Sequence, residues 1–234
     1  MAEVAGLIKP VVQRLARRRA AASQSDLLLV LHGRAGGVIP AEIQELAANV
    51  QSQRGGRVFL QALTDGEAAS QAQAHPPAPI TLVPLFQLPG HHVRSDIPAI
   101  ANHWRRHGWP LRRLPFLGAW PQWQSGIAAA LQQARLQGLK PLLLHHPLSE
   151  KLGLRYIKQQ EQFFQASCEP WHDLVQLYID QREPQLLVPL AIAANRLSEA
   201  LSGMDWPATV QLWPPLLQQQ QFHLLLQKQL ISLA

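Results

Sequence analysis

Two histidines each follow a short apolar run, and both are placed where they could do chemistry. His32 stands near the end of the run LLLVLHG at residues 27–33, and His92 ends the segment LVPLFQLPGHH at residues 82–92. Buried parallel strands read as continuous apolar runs, and open α/β sheets bind ligands at the carboxyl ends of their strands. We therefore expect the two imidazoles to meet at one edge of a sheet.

Such a pair could serve in either of two ways. A neutral imidazole is a ligand for iron, cobalt, nickel, copper and zinc, so two of them could hold a divalent ion and leave other coordination positions open. The pair could instead accept protons, because the unperturbed pKa of histidine is about 6.5. The spacing of the two residues leaves both uses open.

The residues beside His92 strengthen the case for a site. Pro89 and Gly90 favour a tight turn, which predicts that His91 and His92 stand at the start of a helix. Asp96 follows His92 by four residues and shares its helix face, so it could orient the imidazole from behind. An acid at this position is equally typical of the first turn of a helix, where it favours the positive end of the dipole.

Apolar runs and helical patterns alternate along the chain from residue 26. This alternation predicts an α/β fold with parallel, doubly wound sheets. Strands are predicted at 27–31, 57–63, 80–86, 111–116 and 141–144, and helices at 40–51, 93–107 and 121–137.

The second part of the chain repeats the first. Residues 142–145 match residues 29–32 at an offset of 113, with His145 answering His32. The tetrapeptide LVPL also occurs twice, 105 residues apart. The simplest interpretation is an internal duplication, with two α/β halves that enclose a cleft.

We divide the chain accordingly into a basic N-terminal helix (residues 1–25), a first half (residues 26–138) and a second half (residues 139–234). In the second half Leu197 stands where the repeat would place a counterpart of His92. The site is therefore expected on the first half, with the second half closing the cleft.

Composition narrows the class of protein. Of 234 residues, 47% are hydrophobic and 15% charged, which is typical of a globular chain, and no apolar run approaches the roughly 18 residues of a membrane span. Cys168 is the single cysteine, so an intramolecular disulfide is excluded, and a purely structural role of the thiol is favoured. The lack of disulfides predicts a reducing, cytoplasmic location.

The charge is unevenly distributed and predicts an anionic partner. The net charge of +6 divides into +8 for residues 1–140 and −2 for the rest. Nucleic acid, a membrane surface and a polycarboxylate ligand all fit a basic first half. No recognised nucleic-acid motif accompanies the basic residues, so nucleic acid is not expected.

The two motifs resemble those of a known family. LLLVLHG and the segment VPLF-x-LPG-x-HV-x-x-DIP, at residues 83–98, are similar to class II chelatases of the CbiX/SirB type, the sirohydrochlorin cobaltochelatases and ferrochelatases. The duplicated layout resembles the long, two-half members. The resemblance implies a chelatase-like fold and a lyase that inserts Co²⁺ or Fe²⁺ into sirohydrochlorin, in siroheme or cobalamin synthesis, without a nucleotide.

The resemblance also implies residue roles. His32 and His92 match the active-site histidines, which bind the metal and take up pyrrole protons, whereas His91 is a neighbour. The substrate is an anionic tetrapyrrole, for which a basic first half is suitable. Arg34 and Arg94 are candidates for contacts to its carboxylates, although a solvated basic face fits them equally. A monomer or weak dimer is expected.

Two departures from the family pattern leave an alternative open. The first motif continues as His32-Gly33-Arg34 where the family usually has HGS-R. More important, Gln61 stands where the family carries a glutamate in an FLE context, and glutamine cannot act as a base. Glu67 could substitute for it. The alternative is a protein of the same fold that binds a tetrapyrrole or a metal without inserting it.

Overall fold

The computed structural model describes residues 25–65, 74–171 and 183–233. The predicted N-terminal helix, apart from Ser25, and Glu67 lie outside these residues. The strands are β1 (Asp26–Leu31), β2 (Val58–Ala62), β3 (Ile80–Pro84), β4 (Leu111–Arg113), β5 (Lys140–His145), β6 (Ser167–Pro170), β7 (Gln185–Pro189) and β8 (Val210–Leu212). The helices are α1 (Ala41–Arg54), α2 (His91–Arg94), α3 (Asp96–Arg106), α4 (Pro121–Leu136), α5 (Lys151–Phe164), α6 (Arg196–Ser202) and α7 (Gln220–Ser232).

These strands form two parallel sheets with the same topology. The first sheet has the order β2-β1-β3-β4 and the second the order β6-β5-β7-β8. Parallel sheets need helices on both faces to bury their apolar side chains, and each sheet here is covered in this way. The predicted fold class, two α/β halves with parallel sheets, is confirmed.

The hydrogen-bond register fixes how the two halves correspond. In the first sheet the Leu85 N–H donates to the Val30 carbonyl across 2.7 Å, and in the second the Leu190 N–H donates to the Leu144 carbonyl across 2.8 Å. Leu85 and Leu190 end the two LVPL repeats, so Leu144 is the counterpart of Val30. The predicted offset, which paired Leu144 with the next residue along β1, is wrong by one residue.

This slip changes which histidine answers His32. Side chains alternate between the two faces of a strand, so a shift of one residue exchanges the faces. His145 takes the position of Leu31 and is buried, with 4% of its surface exposed. The exposed counterpart of His32 is His146. The two segments have similar residues at an offset of 113, but the backbone hydrogen bonds place them at an offset of 114. The register of the strands, and not the similarity of the residues, decides on which face of the sheet each side chain lies.

One hydrophobic core lies between the two sheets and is built by both. Side chains of β1 and β3 reach it from the first sheet, and side chains of β5 and β7 reach it from the second. Helices α1, α4, α5 and α7 contribute the rest of this layer. Its largest buried side chains are Trp123, Phe164 and Phe222.

The outer faces of the two sheets are covered separately. Helix α3 packs Trp104 and Ile97 on the first sheet, and helix α6 packs Leu197 and Leu201 on the second. Trp104 and Trp123 are fully buried, so these indoles serve packing rather than an open ligand surface. No helix among the described residues is long and apolar enough to cross a membrane.

The predicted helix at 93–107 is in fact two helices. The break falls at Ser95, between α2 and α3. A proline ring clashes with the carbonyl group four residues earlier, and for Pro98 that carbonyl belongs to Arg94. The interruption leaves His92 in a short helix of its own, α2, in the connection that follows β3.

A buried arginine links the two ends of the described fold. Arg54, at the end of α1, is 1% exposed and donates to the carbonyl groups of Leu230 and Ile231 in the last turn of α7 and of Leu233 just after it. It also donates to Ser25, across 2.8 Å. Burial lowers the pKa of this guanidinium. The cation thus satisfies carbonyl groups that a helix end would otherwise leave unpaired.

Candidate functional site

His32 and His92 lie against each other at the carboxyl edge of the first sheet. Their ring centroids are 4.9 Å apart, with an angle of 75° between the ring planes. His32 directly follows β1, His92 follows β3, and these two strands are neighbours in the sheet. Two imidazoles that share one ion, each about 2.1 Å from it, have their centroids about 5 Å apart. The pair is therefore close enough for joint coordination.

The immediate neighbour of His32 determines which of its nitrogens is free. His32 Nδ1 lies 2.9 Å from the Gly33 carbonyl oxygen, which can only accept, so Nδ1 carries the proton and Nε2 keeps its lone pair. Gly33 has φ +76°, and a side chain there would bring a Cβ to 2.5 Å from the Cβ of Ala62. Glycine is required at this turn, both for its backbone angle and for the space.

His92 has the same free nitrogen for a different reason. Its Nδ1 lies 2.6 Å from Asp96 Oδ2, an acceptor, so Nδ1 carries the proton and Nε2 again keeps its lone pair. The contact predicted from the i, i+4 spacing is thus present, and Asp96 also starts α3, as the helix-dipole interpretation requires. The Phe86 ring stacks on His92 at 6.2 Å. Each ring thus keeps an Nε2 lone pair that can bind a metal ion or accept a proton.

The other predicted residues lie around this pair. His91 is exposed, and its ring centroid is 6.2 Å from that of His92. Arg34 forms an ion pair with Glu199, and Arg94 forms one with Glu150. Both acids belong to the second half, so the two arginines bridge the cleft.

Gln61 occupies a buried position on β2, the strand that pairs with β1. It pairs in register with Val30 of β1, two residues before His32, and is 8% exposed. Its Oε1 accepts a hydrogen bond of 3.1 Å from Trp104 Nε1. The side chain is therefore a packed hydrogen-bond partner of an indole, and it has no acidic group with which to accept a proton.

The second half lacks a corresponding pair. Leu197, in the first turn of α6, is fully buried where the first half has the partly exposed His92. His146 Nδ1 accepts a hydrogen bond of 3.1 Å from Trp171 Nε1. The second half thus presents no facing imidazoles of this kind within the described residues.

Cys168 is a poor candidate for metal or redox chemistry. It is 5% exposed, and burial raises the pKa of its thiol to about 12. The thiolate is the form that binds metals and attacks electrophiles, and it is disfavoured here. Across the described parts of the chain, no three His, Cys, Asp or Glu side chains form a metal-binding group. The histidine pair thus stands without a third protein ligand among those residues.

Sequence reasoning missed Gln87, which lines a cavity beside His32. The polar residue follows directly on the apolar segment after β3, and this break in the apolar pattern is the signal that could have drawn attention to it. The missing information was spatial, because the residues that surround Gln87 come from three distant stretches of chain.

Two parallel four-stranded sheets, with a histidine pair at the carboxyl edge of one of them, define an α/β protein of the chelatase fold. Residues 26–134, a little less than half of the chain, match the family model CbiX. The resemblance to class II chelatases of the CbiX/SirB type, predicted from the two motifs, is confirmed by this match. No curated protein sequence matches the chain.

Solved structures show the same fold over most of the chain. One is CbiX, described as the terminal enzyme of siroheme biosynthesis in denitrifying bacteria, with a TM-score of 0.61, 18% identity and coverage of 90% of this chain and 100% of that one. A second is SirB from Bacillus subtilis with Fe³⁺, with a TM-score of 0.56, 14% identity and coverage of 89% of this chain and 96% of that one. A third is DR2241 from Deinococcus radiodurans, described as a multi-domain protein with structural similarity to chelatases. Its TM-score is 0.54 and its identity 15%, with coverage of 89% of this chain and 54% of that one.

Proposed function

We propose that this chain inserts a divalent metal ion, Co²⁺ or Fe²⁺, into sirohydrochlorin or a related tetrapyrrole. The family match and the fold support a metal chelatase in general. The observation that carries the specific proposal is the pairing of His32 and His92, whose Nδ1 atoms are both engaged, so that both Nε2 lone pairs are free. The metal is a substrate, and no nucleotide takes part.

The chemistry requires both functions of an imidazole. Insertion exchanges one divalent ion for two pyrrole N–H protons, so a group that has released the metal must then be able to accept a proton. A neutral Nε2 does both, first as a ligand and then as a base. Asp96 stabilises the imidazolium that forms on His92, and the Gly33 carbonyl keeps the His32 ring in the same tautomer. These contacts keep the Nε2 atom of each ring available to the metal and to the pyrrole protons, without a third protein ligand.

The surroundings fit an anionic substrate. The first half is basic, and Arg34 and Arg94 stand at the cleft beside the pair. Their partners, Glu199 and Glu150, are partly exposed, and ion pairs of this kind are worth only about 0–1 kcal/mol. A substrate carboxylate can therefore replace either acid at little cost. A soluble, cytoplasmic monomer or weak dimer stays a prediction.

Gln61 favours a second candidate function, the binding of a tetrapyrrole or metal without insertion. The family glutamate at this position can take up a proton, and the amide cannot. Gln61→Glu separates the two candidates, since Trp104 can still donate to the new carboxylate. A rise in insertion rate in this variant would support a chelatase slowed by loss of the acid. An inactive parent and an active variant would support the binding protein.

The test of the proposed function is anaerobic incubation of the protein with sirohydrochlorin and Co²⁺ or Fe²⁺, followed by absorbance. Insertion changes the spectrum of the macrocycle, whereas binding alone leaves the metal-free chromophore. We expect enzyme-dependent formation of the metallated product. A protein that binds the tetrapyrrole but leaves it metal-free would refute the chelatase assignment.

Histidine variants assign the activity to the pair. His32→Ala and His92→Ala each remove one Nε2, and each is expected to abolish turnover. His103→Ala, on the outer helix α3, is the matched control and should leave the rate unchanged. Equal rates for all three variants would show that any activity arises elsewhere in the chain.

A further inference from the structure

A tyrosine of the second half contacts the first half near the candidate site. Tyr156, on α5, donates a hydrogen bond of 2.5 Å from its hydroxyl to the Gly118 carbonyl. Gln124 Nε2 donates to the same carbonyl across 2.8 Å and to the Tyr156 hydroxyl oxygen across 3.2 Å. The Tyr156 ring also packs edge-on against Phe116, with the ring centroids 5.4 Å apart. The second half thus holds one carbonyl group of the turn between β4 and α4.

The Tyr156 hydroxyl keeps its proton far into the alkaline range. Burial raises the pKa of this phenol to about 12. A neutral phenol can donate to a carbonyl oxygen, whereas a phenolate cannot. The hydrogen bond to Gly118 is therefore present at every pH at which a histidine changes its charge.

Gly118 also contacts the segment that leads from β3 to His92. Its N–H donates to the Phe86 carbonyl across 2.9 Å. A Cβ on Gly118 would lie 1.9 Å from the Gln87 carbonyl oxygen, so only glycine allows the two backbones to approach so closely. Gly118 is itself buried, and close-packed interiors transmit strain. A displacement of this turn therefore has to move residues 86 and 87 as well.

Phe86 connects this segment to the histidine pair. Its ring packs against the core between the first sheet and α3. It also stacks on the His92 ring, with the centroids 6.2 Å apart and an angle of 29° between the planes. Asp96 contacts the same imidazole at Nδ1. Two groups thus support the His92 ring, and Phe86 is the one that leads through Gly118 to the second half.

The second half has other residues at the corresponding positions. There the Leu216 N–H donates to the Ala191 carbonyl across 2.9 Å. Ala191 is the counterpart of Phe86, since each directly follows an LVPL repeat, and Leu216 is then the counterpart of Gly118. Alanine has no ring to stack, and leucine has the Cβ for which Gly118 leaves no space. The stacked ring and the close backbone approach belong to the half that carries the histidine pair.

We propose that Tyr156 is a positioning residue for His92. It holds the turn at Gly118 against residues 86 and 87, and the Phe86 ring then keeps the His92 imidazole in place. The effect on metal insertion rests on the proposed function. The second half would thus support the site directly, through one hydroxyl group.

Tyr156→Phe is the first test, because it removes the hydroxyl and keeps the ring beside Phe116. The direct readout is the proton NMR spectrum of the metal-free protein at pH 8, in which the ring current of Phe86 shifts the signals of the His92 ring. His92→Ala assigns these signals, and Phe86→Leu gives their position without the ring current. We expect the His92 signals of Tyr156→Phe to move towards that position. Signals that stay at the parental position would overturn the proposal.

Metal affinity is the second readout. We expect the Kd of Co²⁺, measured by calorimetry without tetrapyrrole, to rise about tenfold in Tyr156→Phe, the low end of the loss seen when an outer-shell partner of a ligand is removed. The double variant with Phe86→Leu should bind Co²⁺ no more weakly than Phe86→Leu alone, because both changes act on His92 by the same route. Losses that simply add would contradict a route through Phe86.

Ser202→Ala is the matched control. The Ser202 hydroxyl donates to the Ser198 carbonyl across 2.8 Å on α6, so this variant also removes one hydroxyl-to-carbonyl hydrogen bond from the second half. Its His92 signals and its Kd for Co²⁺ should equal those of the parent. Urea unfolding of both variants shows whether they lose similar stability, which separates positioning of His92 from general destabilisation.

The outcomes distinguish this inference from the proposed function. Parental His92 signals in Tyr156→Phe, in a parent that inserts metal, would overturn the inference alone. A parent that leaves sirohydrochlorin metal-free would overturn the proposed function, and the spectra of the metal-free protein would still decide the role of Tyr156.

Discussion

Asp96 Oδ2 accepts a hydrogen bond of 2.6 Å from His92 Nδ1, and this contact holds the imidazole ring in one orientation, with Nε2 as the ring nitrogen that faces away from the carboxylate. The carboxylate is partly exposed and belongs to the start of α3, so it can be replaced without opening the core. For Asp96→Ala we expect the insertion rate to fall about 10- to 100-fold, the usual loss when the partner of a metal-binding histidine is removed. Initial rates at saturating metal test this.

Two further variants make the result specific. Asp96→Asn keeps an oxygen that accepts the Nδ1 proton but removes the charge, so its rate should lie between those of the parent and Asp96→Ala. Ser95→Ala replaces the exposed neighbour and should not change the rate. If Asp96→Ala keeps the parental insertion rate, the only role of the carboxylate is its favourable interaction with the N-terminal end of α3.

Gly33 and Gly36 offer a matched pair for testing the turn after β1. Both have positive φ, but a Cβ at Gly33 would lie 2.5 Å from the Cβ of Ala62, whereas a Cβ at Gly36 meets nothing within 4 Å. Gly33→Ala should therefore lower the free energy of unfolding by about 1–3 kcal/mol more than Gly36→Ala. Urea unfolding of the two variants measures the difference. Equal losses would mean that the backbone angle alone is responsible.

The ion pair between Arg34 and Glu199 should compete with the substrate. Glu199→Gln frees the arginine, so we expect a lower KM for the tetrapyrrole with little change in kcat. Glu183→Gln breaks a comparable surface pair, with Lys140, and is the control. Stability should hardly change in either variant, because such pairs contribute about 0–1 kcal/mol. An unchanged KM in Glu199→Gln would remove Arg34 from the substrate contacts.

Cys168 should make the protein less stable in alkali. Burial raises the pKa of its thiol from 9.0 to about 12, so the folded chain keeps the proton over a range in which the unfolded chain loses it. This contribution is complete below about pH 9 and is lost as the pH rises towards 12. The free energy of unfolding should therefore fall less steeply above pH 9 in Cys168→Ala. Tyr156, with a pKa raised to about 12 by burial, leaves a residual slope.

The same burial predicts slow thiol chemistry. In the native protein Cys168 should react slowly with a thiol reagent at pH 8, and urea should restore the rate of a free cysteine. Rapid reaction of the native protein would contradict the buried position of the thiol.

Most of the fold was accessible to sequence reasoning because parallel strands are buried on both faces and so form unbroken apolar runs. The run at residues 27–31 predicts β1, and the structure extends it by Asp26 alone. Proline positions refine such predictions, since Pro98 accounts for the break between α2 and α3. The correspondence between the two halves could not be predicted from the sequence. The segments LVLH and LLLH are similar in sequence, but the hydrogen bonds of their backbones show that they correspond with a shift of one residue.

The meeting of His32 and His92 followed from simple geometry, since His32 directly follows β1, and His92 begins the connection after β3 to the next helix, at the same edge of one parallel sheet. The environment of Gln87 did not follow, because Trp123 lies 36 residues further along and the facing wall comes from residues 190–195. Pairings of this kind depend on how whole layers pack. No local pattern in the sequence carries that information.

The core shared by the two sheets restricts how the cleft can open. Trp123 of α4 and Phe222 of α7 lie 5.8 Å apart between ring centroids, inside one continuous apolar layer. A hinge that swung the two sheets apart would expose these rings to water, at a cost of about 25 cal/mol for each Å² of apolar surface. Admission of a flat macrocycle must therefore rely on side chains and loops at the rim, with the two sheets acting as one rigid frame.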